Sequence, residues 1–550
     1  MSPTDKNPAR RSTRCLLLSP EFKTASFWNY REACRIKGSR YPGTPLGLLT
    51  VAAMLPQDWE LKLCDRNVED FDESLLDWAD VVFIGGMIPQ QQDHLQMIAL
   101  AHSKGKIVVS GGPDATSSPH VYDAADHLVL GEAEVTLPAF LADFKEGQAK
   151  HVYQSKDQAD VTQSPVPRWD LVTIEHYAYL GFQWSRGCPF NCEFCDIIEL
   201  FGRVPRHKTT EQVLRELDNL YSLGYRGAID VVDDNFIGNQ KAVMELLEAL
   251  RGWQERHGWP FEFGTEASLN LADRPKIMAA MRDAGFSVIF VGIETPDEDT
   301  LRSTQKRQNT RRDIAESVRT LYDYGIMVMA GYIIGLDDES PDMASRMITC
   351  IQDTSVPVNM VGLLFALPNT QLSRRLKREG RIKDGFELVS ATAGSDQCAE
   401  GLNFDTQRPT EDILADYIKV LEAVYTPEAY FDRVLRMGLA LNRKSQKLNL
   451  GLKGTIADAV TFGRMIRDIG LKREWGHHWW RVFLIVLVKN PRAIRYALWM
   501  GALYTHFGDF VPWVTARLTE RRNTILREKA AQKPSIPAEN TRPAASLTLN

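Results

Sequence analysis

Three cysteines, Cys188, Cys192 and Cys195, fall within eight residues of this 550-residue chain in a C-x3-C-x2-C pattern. Three thiolates on one loop can each bind one iron of a cubane [4Fe–4S] cluster and leave the fourth iron open. An open iron can bind and split a substrate, where a fully ligated one only passes electrons. A zinc site would need a fourth nitrogen or sulfur ligand and tends to use C-x2-C pairs. Buried structural thiols are common, but packing does not account for three in eight residues. An apolar run at 177–184 leads into the trio, so the loop is expected just past a buried strand.

Around that loop the pattern alternates. Strand candidates stand at 179–185, 228–233, 261–267, 287–293, 327–333 and 359–365. Helix candidates lie between them at 209–223, 239–257, 273–285, 311–325 and 340–353. Six β/α units in series fit a partial or full parallel barrel, whose chemistry gathers at the carboxyl ends of its strands. Polar and glycine residues stand at those ends: Asp233, Asp234 and Asn235, then Glu266, then Glu294, then Gly331 and Gly335. Strand ends emerge into water, which is reason enough for one carboxylate. Four of six ends so equipped, facing one cysteine loop, are less readily explained that way.

Upstream, five short apolar runs alternate with helices over 14–148, the pattern of a doubly wound parallel sheet. Glycines follow three of the runs: Gly85 and Gly86, Gly111 and Gly112, and Gly131 with Glu132 behind it. Such sheets bind ligands just past their strand ends, and glycine lets a backbone approach closely. Tight turns alone would also use these glycines. Residues 149–175 read as a polar linker to a barrel at 176–370.

From 371 to 531 helices dominate, with stretches at 370–379, 410–424, 427–442, 454–470, 479–488 and 491–507. A small-residue loop at 391–403 could cover the barrel mouth. Trp475, Trp479, Trp480, Trp499 and Trp513 are interleaved with Arg473, Arg481, Lys489, Arg492 and Arg495. Packing of a helical bundle, contact of 475–516 with a membrane surface, and stacking on nucleic acid each fit that mixture. The ends, 1–13 and 532–550, read as disordered.

Bulk properties narrow the field. Net charge is −6, with 65 Lys+Arg against 71 Asp+Glu, so there is no basic excess of the kind nucleic-acid proteins carry. The other five cysteines are scattered, as in reduced, cytosolic proteins. No uncharged run reaches transmembrane length, and the N-terminal leader has no apolar signal segment.

The cysteine spacing, with Phe194 just before the last thiol, resembles the radical S-adenosylmethionine (SAM) superfamily. The upstream domain resembles the cobalamin-binding domain of one large class of it, through 44–48, the Gly-Gly-Pro turn at 111–113 and Gly131-Glu132. The helical region is similar to the extension on cobalamin-type members, including enzymes that methylate hopanoid lipids, through Asn403-Phe404 and 421–433. The fold class is then α/β: a doubly wound cobalamin-binding-like domain, a radical SAM (β/α)6 partial barrel and an α-helical extension.

The resemblance implies that Cys188, Cys192 and Cys195 ligate the cluster. It implies that Phe194, Asp234, Asn235, Glu266, Glu294, Gly331 and Gly335 surround SAM, and that Gly85, Gly86, Gly111, Gly112, Gly131 and Glu132 meet cobalamin. The D-x-H-x-x-G signature that gives cobalt a histidine is absent; His94, His102, His120 and His127 lack that context and read as surface or turn residues. The activity implied is cobalamin-dependent methyl transfer to an unactivated carbon of a lipid or other small molecule, with electrons from a flavodoxin or ferredoxin. Cyclisation or oxidation without methyl transfer, and a non-catalytic Fe–S or cobalamin-binding protein, are the alternatives. A tRNA-modifying enzyme would carry an appended basic module, and none is evident.

Overall fold

A computed structural model describes residues 12–23, 25–383, 397–443 and 448–532. The expected leader and tail, and half of the 391–403 loop, lie outside the described residues. The first sheet has six parallel strands: β1 (Arg14–Ser19), β2 (Glu60–Asp65), β3 (Val81–Gly85), β4 (Ile107–Gly111), β5 (His127–Val129) and β6 (Val152–Tyr153). Their order is β2-β1-β3-β4-β5-β6. Apolar side chains alternate between two cores, one on each face. Leu16, Leu18, Val82 and Val108 join Met97 and Ile98 of helix Gln91–Ser103, while Cys15, Leu17, Val81 and Val109 join Leu137 and Phe140 of helix Ala133–Lys145. This is the doubly wound arrangement.

Two readings change here. β6 comes from the stretch expected as linker; at two residues it is too short to show a period, and it is held by Leu130 N–H donating to the Tyr153 carbonyl at 2.9 Å. His94 is not a surface residue. It continues the buried stripe of its helix with Met97, Ile98 and Ala101, its Nε2 lies 2.9 Å from Ser110 Oγ, and burial pushes its pKa down to about 3. It stays neutral and packs on Tyr122.

The second sheet holds β7 (Leu180–Phe182), β10 (Gly227–Val231), β11 (Phe261–Glu266), β12 (Phe286–Glu294), β13 (Met327–Ile334) and β14 (Asn359–Leu363), all parallel and in that spatial order. β7 and β14 are its two edges, so the barrel is partial. In the chain between β7 and β10 comes a separate small antiparallel pair, β8 (Ser185–Arg186) with β9 (Arg206–His207).

The helical region docks on β14. Buried Arg433, on helix Pro427–Ala440, donates from Nε to the Val356 carbonyl at 2.9 Å, and the Tyr425 hydroxyl donates to the Asn359 carbonyl at 2.7 Å. The last helix, Ile494–Gln532, runs 39 residues, far past the expected end at 507. Gly508 and Pro512 fall inside it, where tertiary packing overrides their low helix propensity. The five tryptophans of 475–516 face inward: Trp479 is fully buried and the others pack against the core.

Candidate functional site

The cysteine loop begins at β8 and is fastened from below. Asp233, at the end of β10, accepts from the N–H groups of Trp184 (2.8 Å) and Ser185 (2.9 Å) and from the Ser185 hydroxyl (2.7 Å). Asp234 accepts the Gly187 N–H at 2.8 Å. Burial pushes Asp233 up to about 7 and Asp234 up to about 6, against the pull of these bonds. Gly187 has φ 93°. A side chain there would sit 2.9 Å from the Gly202 carbonyl oxygen and 3.1 Å from that of Phe201, so both its conformation and its surroundings require glycine.

The far side of the loop is clamped by two segments. Glu193 N–H donates to Thr304 O at 3.1 Å, and Leu372 N–H donates to Glu193 O at 2.8 Å. Arg375 bridges Glu193 and Asp337, each at 2.8 Å. The sulfurs have amide neighbours: Asn235 Nδ2 lies 3.9 Å from Cys188 Sγ, and Gln308 Nε2 lies 3.5 Å from Cys192 Sγ. None of the three cysteines forms a disulfide. Burial raises the pKa of Cys188 and Cys195, so a metal's charge is what would deprotonate them. Among the described residues no three His, Cys, Asp or Glu side chains converge on a single ion. A cubane cluster takes one thiolate per iron, and hydrogen bonds to its sulfurs such as these amides offer set its potential.

Next to the loop lies the barrel lumen. In-register neighbours put Asp230 and Gly264, Glu266 and Phe290, and Phe290 and Met329 on one face, with Val288 and Met360 on the same side. Each of the side chains among them is at least partly open, while the alternate residues Ile229, Val231, Phe263, Ile289 and Val291 are buried outward. The lumen is thus a hollow, largely apolar cleft with carboxyls on one wall. Glu266 opens into it but has protein on its other sides, which pushes its carboxyl up to about 8, with Asp230 and Asp234 adding. Asp230 rises to about 6 through burial. Trp28, from the segment after β1, lies edge-on to Phe290 at 5.3 Å between ring centroids.

At the end of β12 a bulge puts Glu294 at φ 69°, uncommon for a side-chain-bearing residue. Its carboxylate pairs with Lys306 Nζ at 2.6 Å. That ammonium lies 6.0 Å from the Phe194 ring. Burial alone would lower Lys306, but Glu294 and then Cys192 hold its pKa above the ordinary value. Gly331 makes room for Phe290, whose ring would be 2.9 Å from a Cβ there. Gly335 turns the chain after β13 and donates to Glu339 at 2.8 Å.

The glycine turns of the first sheet come together at its carboxyl end. Gly112, at φ 92°, lies against Gly86, whose N and O would each be 3.2 Å from a Cβ; β3 and β4 pair Gly85 with Gly111. Gly131 donates to Thr116 Oγ1 at 2.9 Å and has open space on its Cβ side. The short helix Pro113–Ser117, just past Gly112, lies against Ile197–Leu200, just past Cys195. Glu132, grouped with these glycines in the sequence, is engaged elsewhere. It bridges Arg186 and Arg206 of the β8–β9 pair, both at 2.8 Å, and Glu134 pairs with Arg186 at 2.7 Å.

Sequence reasoning missed Asp230, Lys306, Gln308, Trp28 and Arg186. Asp230 had a signal, a lone acid in an apolar strand run; the others depend on contacts across the fold.

Glu266 gives a test of the lumen. Its ordinary value is 4.5 and its folded value is about 8, so the folded chain binds this proton more tightly than the unfolded chain. The contribution to stability is therefore lost as pH rises through that window. A Glu266→Gln chain is expected to melt above the parent in cofactor-free form, with a gap that widens from pH 4.5 to about 8. Thermal denaturation across that range checks it; a pH-independent gap would place the carboxyl in bulk water.

Three family models match: a B12 binding domain over residues 36–141, the radical SAM superfamily over 182–351, and a domain of unknown function over 370–520. The chain is 41% identical to an uncharacterized methyltransferase of Synechocystis sp., covering 94% of this chain and 96% of that protein. It is 35% identical to the hopanoid C-2 methylase of Rhodopseudomonas palustris, covering 81% and 84%. Among solved structures, the cobalamin- and [4Fe–4S]-bound radical SAM methyltransferase TsrM of Kitasatospora setae shares the fold with a TM-score of 0.59 at 14% identity, covering 83% of this chain and 100% of that one. The cobalamin-dependent radical SAM enzyme OxsB matches with 0.57 at 15%, covering 94% and 81%.

Proposed function

The chain belongs to the cobalamin-dependent radical SAM methyltransferase family, and from that premise we propose that it methylates an unactivated carbon of an apolar small molecule, a lipid included. The observation that carries the choice of substrate is the lumen, lined by Val288, Phe290, Met329 and Met360 and edged by Trp28. An apolar cleft with a few polar groups at one end orients an apolar ligand by shape.

The bound cofactors supply the hard chemistry: the [4Fe–4S] cluster the electron that splits SAM, and cobalamin the methyl group. The protein's part is holding and excluding. Cys188, Cys192 and Cys195 hold the cluster, and the amides of Asn235 and Gln308 bond toward its thiolates, which tunes its potential. Glu266 receives the ammonium or ribose hydroxyls of SAM, and the bulge at Glu294 aims the Glu294–Lys306 pair at the same ligand beside Phe194. Asp234 acts at one remove, by fixing Gly187. The backbones at Gly331 and Gly335 flank the adenosine. The turns at Gly85–Gly86, Gly111–Gly112 and Gly131 would hold cobalamin, and Glu132 joins the two domains. No acid–base pair is needed for hydrogen abstraction. Electrons come from a flavodoxin- or ferredoxin-type donor, and the helical region meets a membrane.

The test uses the anaerobically reconstituted enzyme and SAM with a deuterated methyl group. Label in the product together with 5′-deoxyadenosine supports the reading. Deoxyadenosine without label would favour cyclisation or oxidation, and neither product would leave a binding protein.

A further inference from the structure

The tryptophans of 475–516 are turned inward, as packing of a helical bundle would have them, yet the same region exposes a different apolar face. Helix Gly451–Met465 carries Leu452, Ile456 and Val460, four residues apart on one side, exposed by 78%, 56% and 47%. Helix Gly476–Lys489 carries Leu484, Leu487 and Val488, exposed by 56%, 44% and 80%. The two helices meet through Phe462 and Phe483, with ring centroids 5.4 Å apart, and each presents its apolar residues to solvent. A soluble chain rarely leaves so many large apolar side chains together.

The unpaired charges on the two helices and just past the second are cationic. Lys453, Arg481, Lys489 and Arg492 are exposed and have no carboxylate partner among the described residues. The two helices contain one acid, Asp458, and it faces Arg495 at 3.8 Å. Beside the N-terminal half of the first helix opens a cavity of about 420 Å³, lined by Arg443, Arg492, Arg495, Tyr496, Leu450 and Asp458. Apolar residues flanked by unpaired cations, with an arginine-lined hollow alongside, match an interface of acyl chains below and phosphates above. Among the described residues no helix is long and apolar enough to cross a membrane, so the contact is one-sided.

We infer that Gly451–Met465 and Gly476–Lys489 lie on an anionic bilayer surface, with Leu452, Ile456 and Val488 entering it and Lys489 and Arg492 meeting lipid phosphates. The inference rests on the membrane contact proposed above and gives it a location.

Flotation of the reconstituted holoenzyme with vesicles tests it. The protein is expected to float with phosphatidylcholine vesicles containing phosphatidylglycerol, to float poorly with phosphatidylcholine alone, and to be released by high salt. Leu452→Glu with Val488→Glu, and Lys489→Glu with Arg492→Glu, are each expected to weaken binding by at least about tenfold. Parent-level 5′-deoxyadenosine formation in solution shows that these variants fold. A parent that stays unbound, or variants that float as the parent does, overturn the inference. So does a parent dimer that the apolar pair of substitutions makes monomeric, since a second copy would then cover the face. An enzyme that transfers label but does not float refutes this surface alone; one that floats but transfers none refutes the methylase reading alone.

Discussion

Cys192→Ala is expected to remove the cluster and with it all cleavage of SAM. Cys192 is the most buried of the three thiols, and Gln308 donates toward its sulfur at 3.5 Å. Iron and sulfide, expected at about four each per chain in the parent, should fall to background, and 5′-deoxyadenosine should become undetectable. Two controls sharpen the result. Cys350→Ala, on helix Met343–Thr354 behind β13, should leave both unchanged. Gln308→Ala should keep the iron and shift the cluster's reduction potential, because hydrogen bonds to sulfur set that potential. Cleavage retained in Cys192→Ala would remove Cys192 from the ligand set.

Arg186→Met is expected to destabilise the joined domains by about 3–5 kcal/mol, the cost of leaving a buried ion pair half made. Its side chain is 12% exposed, and those of Glu132 and Glu134 are 3% and 9%, so solvent cannot take its place. Burial would raise Glu134, but Arg186 holds its pKa down to about 2, below the ordinary 4.5. A depressed carboxyl stabilises the fold above 4.5, and that contribution is lost as pH falls towards about 2. The variant should therefore lose stability at neutral pH and show a weaker acid dependence than the parent, read by denaturant unfolding at several pH values. Because Arg186 precedes Gly187, methyl transfer should fall with it. A loss below about 1 kcal/mol would mark a solvent-screened surface pair.

The barrel was legible because its signal is repeated. Each of its six parallel strands overlaps the apolar run that announces it, to within about three residues at either end, and the cysteines announce themselves by spacing. What was hidden is of two kinds. β6, β8 and β9 have two residues each, too few for any periodicity. The other kind is a side chain whose role comes from a distant partner. Glu132 beside Gly131 reads as part of a ligand turn until Arg186, 54 residues on, is seen against it. Lys306 has no motif around it and becomes part of the site only because the β12 bulge swings Glu294 towards it. Trp28 lies in a stretch without helical or strand period and reaches Phe290 across more than 250 residues.

That same stretch sets an order of events at the ribosome. Phe27 is enclosed by Phe507, Phe510 and Tyr425, with ring centroids 5.1–6.0 Å away, and His506 lies 3.0 Å from the Ser26 carbonyl. The segment that carries Trp28 over the lumen is made early and gets its supports last. Domains generally fold as they emerge, N-terminal first; here the roof of the cleft has to wait for the final helix.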